Sequence, residues 1–112
     1  MIPPEDARLP VVFGTVATAG PEDALLIEGD APALPGQTVA RFTAGPLPWH
    51  AAGCACCVPR AAAAAALGRL FLARARGEVA FFRRVVAVVN NKQALQAALS
   101  VDALAAARFR ID

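Results

Sequence analysis

Tyrosine is absent from the chain, and serine, lysine, histidine and tryptophan occur once each, at Ser100, Lys92, His50 and Trp49. So thin a supply of hydroxyl, amine and imidazole groups leaves cysteine as the main source of nucleophilic or ligand chemistry. Long apolar runs are missing as well. The longest, Ala61 to Leu67, is mostly alanine and is soon broken by Arg69, far short of the roughly 20 residues that cross a bilayer. No membrane span is expected. Met1-Ile2-Pro3-Pro4-Glu5-Asp6 carries prolines and acids where a signal peptide needs a positive start and an apolar core. A cytoplasmic protein is expected. Dense basic stretches are also lacking: ten arginines and one lysine are spread along the chain, with a net charge of +2. Nucleic acid is therefore set aside as a partner.

What the chain does have is apolar substance, 57% of 112 residues, enough to bury one core and too little length for two. Residues 1–112 are read as a single domain. All nine prolines lie at or before Pro59, which divides the chain into a strand-and-turn half and a helix-rich half. Val11 to Thr18 is apolar and β-branched, Ala19 to Asp23 is a turn cluster, and Ala24 to Glu28 is apolar again, a pattern that reads as an N-terminal β-hairpin. Thr38 to Thr43 alternates with Ala40 and Phe42 on one face, as a third strand would. Pro59 suits a first helical position, and Arg60 to Arg76 predicts a helix that stops at Gly77. Its core stripe is Leu67, Leu70 and Phe71. Arg84 to Val89 is the expected central strand, since an uninterrupted apolar run fits burial on both faces of a sheet. Lys92 to Leu99 and Asp102 to Phe109 read as helices punctuated by Ser100 and Asp102 as caps. The expected fold is α/β, a small mixed sheet with packed helices.

Three cysteines fall within four positions, Cys54, Cys56 and Cys57, an odd and local set that cannot make a disulfide framework. They stand directly before a predicted helix, whose N-terminal amides and dipole lower a thiol's pKa below the ordinary value of about 8.5. Thiolate is the form that binds metal, and a C-x-C-C spacing presents two or three sulfurs to one ion such as Zn²⁺. His50, four residues upstream of Cys54, is a candidate fourth ligand; the alternative is an exposed imidazole beside Trp49. The cysteines have alternatives of their own: small side chains filling a tight turn, or redox-active thiols with His50 as activating base.

The segment Gly53-Cys54-Ala55-Cys56-Cys57-Val58-Pro59-Arg60 resembles the G-C-x-C-C-x-x-R signature of the CobW-like P-loop GTPases, which handle metals. Phe82-Arg83-Arg84-Val85-Val86 resembles that family's F-D-R-V-V strand. The stretch from Ala94 to Asp112, through Leu95-Gln96 to Arg108-Phe109-Arg110-Ile111-Asp112, is similar to its V-L-Q-x-L-L-x-D-x-x-L-A-x-R-F-R-L-D helices. The departures are equally specific. The family's phosphate loop, G-x-x-x-x-G-K-S/T, should follow the opening strand, yet Gly14-Thr15-Val16-Ala17-Thr18-Ala19-Gly20 lacks both lysine and pattern. The Glu-Thr-Thr-Gly motif is replaced by Ala87-Val88-Val89-Asn90-Asn91. Asn91-Lys92 begins like the guanine motif N-K-x-D, but Ala94 fills the aspartate position, and the pair reads as a helix start.

The resemblance implies a reduced P-loop-GTPase-like domain that is not an enzyme and takes no nucleotide. It implies a metallochaperone-like protein holding zinc or another transition metal through Cys54, Cys56 and Cys57, with His50 beside them, and serving a complete GTPase or a metalloenzyme as client. The alternative is a pseudo-GTPase interaction module acting by oligomerisation without metal. A homodimer is expected, since a truncated sheet exposes strand edges and the alanine-rich helix allows close approach.

Overall fold

The computed structural model describes residues 7–43 and 62–112. Its strands are β1 (Leu9–Phe13), β2 (Asp23–Glu28), β3 (Thr38–Phe42), β4 (Arg84–Val88) and β5 (Phe109–Ile111), and its helices are α1 (Ala62–Ala75), α2 (Lys92–Val101) and α3 (Ala103–Arg108). The strands form one sheet in the order β3-β2-β4-β1-β5, and every pairing is parallel. The α/β class expected from the sequence is the one observed.

The hairpin and the mixed sheet are not. β4 lies between β1 and β2, so that Val85 pairs with Val11 on one side and Ala24 on the other. Residues 14–22 form a parallel crossover with only one 3-10 turn, Val16–Thr18, where such connections usually take about a dozen residues or more. The turn cluster looks like a hairpin loop because its chemistry is local, whereas the deciding signal lies in β2 itself. Ala24, Leu25, Leu26 and Ile27 are all fully buried, as in an interior strand covered on both faces; a hairpin with one wet face would alternate.

The two faces are covered differently, and the strand order explains why. Connections from β1 to β2 and from β2 to β3 step one way along the sheet, while those from β3 to β4 and from β4 to β5 step the other way. Parallel crossovers keep one hand, so the two sets belong on opposite faces. The packing agrees: Leu67 and Leu70 of α1, Leu95 and Leu99 of α2 and Ala105 of α3 share one core with Val11, Ala24, Leu26, Ala40, Val85 and Ala87. On the other face Val16, Ala19 and Ala33, from the two connections that hold no α-helix, pack on Leu25, Ile27 and Val86. Phe71, the third member of the expected stripe, is half-buried and meets Phe109 edge-on with ring centres 6.2 Å apart.

Helix ends follow local chemistry. Gly77 has φ +71°, its N–H donates to Arg74 O and that of Glu78 to Ala73 O, the paired bonds that close a helix on a left-handed glycine. Asn91 Oδ1 accepts from Ala94 N at 3.0 Å and Asp102 Oδ1 from Ala105 N at 3.0 Å, capping α2 and α3. Ser100, expected as a cap, lies inside α2 and donates to Ala97 O. The helix expected through Phe109 stops at Arg108, because the buried Phe109 starts β5 and pairs with Leu9.

Candidate functional site

The four residues singled out as ligands, His50, Cys54, Cys56 and Cys57, lie outside the described residues, as do Trp49, Pro59 and Arg60. The fold does position the ends of their segment. β3 ends with Phe42 at the carboxyl edge of the sheet. Arg74 in the last turn of α1 donates through Nε to Phe82 O at 2.7 Å, just ahead of β4. The last turn of α1 therefore sits at the amino edge, and the helix, about 21 Å long at 1.5 Å per residue, starts toward the carboxyl edge. That edge is where open parallel sheets bind ligands.

Loops after β1 and β4 meet there, since Phe13 pairs with Ala87 and Gly14 N donates to Ala87 O at 3.1 Å. These are the places where the resembled family carries its phosphate loop and its Glu-Thr-Thr-Gly motif. A phosphate cradle needs a row of free amides. Here five of the seven amides from Gly14 to Gly20 are spent inside the protein: besides Gly14 N, Thr15 N donates to Thr18 Oγ1, Thr18 N to Thr15 O, Ala19 N to Val16 O and Gly20 N to an Asp23 carboxylate oxygen. Gly14 is held by close packing, because a Cβ there would fall 2.6 Å from Thr18 Oγ1 and 3.0 Å from Val86 Cγ1.

Lys92 begins α2, as read from the sequence, and its ammonium lies 5.4 Å from the centre of the Phe13 ring. It thus stands closer to the loop after β1 than its place in the chain implies. Across the same edge Glu28 joins β2 to the loop after β4, accepting from Asn90 N at 3.0 Å and Asn90 Nδ2 at 3.4 Å. Among the described residues no three His, Cys, Asp or Glu side chains gather into a metal-binding group.

Sequence reading missed the principal ion pair, which lies at the opposite edge. Arg84 Nη2 and Nε reach Asp23 Oδ2 at 2.6 Å and Oδ1 at 3.1 Å. The Arg84 hydrogen bonds hold the Asp23 carboxyl below its ordinary pKa against the opposing effect of burial, helped by the Gly20 N–H. These residues are 61 positions apart and face each other only because β2 and β4 are neighbours, so no local pattern could have revealed them. Beside this pair opens a cleft of about 260 Å³ lined by Leu34, Pro35, Gln37, Thr38, Phe81 and Phe82 among others.

No family model, no curated protein and no solved structure matches the chain. No helix among the described residues is long and apolar enough to cross a membrane.

Proposed function

We propose that the protein binds a transition metal, zinc in the first place, without hydrolysing nucleotide, and works as a small metal carrier related to the CobW-like metallochaperones. The observation that carries this reading is the spacing of Cys54, Cys56 and Cys57 in the segment that leads to α1, which begins at Ala62. Three thiolates on one ion leave excess negative charge, which the positive end of a helix dipole offsets. His50, solvent or a residue of the client completes the shell. An open fourth position suits transfer, because an acceptor's ligand attacks before the donor lets go. The reducing cytoplasm, the proposed compartment, keeps such thiols available. The client is a complete GTPase or a metalloenzyme.

Two features of the described residues favour a carrier that has given up GTP. The loop after β1 spends five of its seven amides internally, and the one lysine stands at the start of a helix rather than in that loop. The test is a zinc competition titration against a chromophoric chelator. Cys56→Ser is expected to weaken binding by orders of magnitude and His50→Ala to have a smaller effect; unchanged affinity in Cys56→Ser would leave the metal-free interaction module as the better reading.

A further inference from the structure

Among the described residues β3 closes one side of the sheet, with β2 as its only neighbour. Its hydrogen-bond phase is set by Gly29 N donating to Phe42 O at 2.9 Å, with Phe42 opposite Glu28. In a strand, backbone groups of alternate residues point to opposite sides, so Thr38, Ala40 and Phe42 serve β2 while Val39 and Arg41 turn theirs outward. One outward carbonyl is occupied. Arg69 Nη2 reaches over from α1 and donates to Arg41 O at 3.0 Å. Arg41 sits on the opposite face of the strand from the helices, with its guanidinium bound to Gly29 O at 3.2 Å and Ala31 O at 2.7 Å. Arg69 thus occupies a carbonyl on the rim of β3, while Arg41 ties the strand to the connection that leads into it.

We propose that the outer edge of β3 is a self-pairing surface for a second copy of this chain, and that Arg69 keeps it closed. A two-fold axis at Ala40 would set Val39 of one copy against Arg41 of the other, so the outward donors and acceptors complement themselves in an antiparallel pair. With Arg69 in place, pairing requires two guanidinium groups to leave their carbonyls. It also brings four arginines onto one short ribbon, where like charges oppose association. Natural edges are commonly blocked in this way. The homodimer expected from exposed strand edges is accordingly held off at this edge, and loss of one side chain releases it. This inference is independent of the metal reading.

The test is sedimentation equilibrium of the full chain with reductant and chelator present, so that neither disulfides nor shared metal contribute. Wild type is expected to be monomeric, and Arg69→Ala to dimerise at least about tenfold more tightly, roughly 1.4 kcal/mol. Adding Val39→Pro, which removes an outward N–H while sparing the bonds to β2, is expected to restore the monomer. Hydrogen exchange gives a second readout: the Val39 and Arg41 amides become protected in Arg69→Ala. Arg69→Met serves if the alanine variant fails to fold. An Arg69 variant that folds and stays monomeric, or a dimer that survives Val39→Pro, would overturn the proposal.

Discussion

Asp23 and Arg84 tie β2 to β4 where both strands begin, and the Asp23 side chain is only 8% exposed while that of Arg84 is 42% exposed. Because the Asp23 pKa is lower in the folded chain than in the unfolded one, the unfolded state binds the extra proton as acid is added. Its contribution is therefore complete above the unfolded carboxyl pKa of about 4 and is lost as pH falls through the lower folded value. Half of the pair is wet, so the magnitude is modest. Asp23→Asn is expected to cost about 1–2 kcal/mol near neutral pH and to flatten the acid limb of stability; equal acid unfolding curves for both proteins would show the pair to be inert. Gly14 makes a second point at this scale. Gly14→Ala would force Thr18 out of its bond with Thr15 or push on buried Val86, a strain of about 1–3 kcal/mol. The check is urea unfolding, in which adding Thr18→Ala should recover part of the loss.

Elements differ in how openly the sequence announces them. The helices are legible through their punctuation: Gly77 closes α1, and Asn91 and Asp102 open α2 and α3. β4 is legible as the central strand because its apolar run has no wet face. β2 carries the same signal, yet the turn residues beside it give a competing local answer, and partners distant in the chain decide between them. β5 is hidden because Phe109 extends a helical pattern and becomes a strand only by finding Leu9. The loop after β1 shows how an element bears on function. Five of its seven amides are engaged before any ligand arrives and it carries no lysine, so GTP and GDP are expected to show no binding heat at micromolar concentration by calorimetry. A micromolar affinity would mean that the loop rearranges into a phosphate cradle.

For the whole molecule, β3 ends at the carboxyl edge of the sheet and α1 begins toward it, while the Asp23 and Arg84 pair and the cleft near Phe81 occupy the amino edge. The proposed ligand set rests on spacing alone, three cysteines in four positions, because thiolate chemistry depends on residue type and proximity before it depends on fold. Cys54, Cys56, Cys57 and His50 lie outside the described residues. The central claim is therefore a matter of composition in the purified protein. Elemental analysis by mass spectrometry of untagged chain, purified under reducing conditions without added metal, is predicted to find one zinc-class ion per chain. A variant combining Cys54→Ser, Cys56→Ser and Cys57→Ser should carry none, and equal metal content in the two proteins would contradict the account.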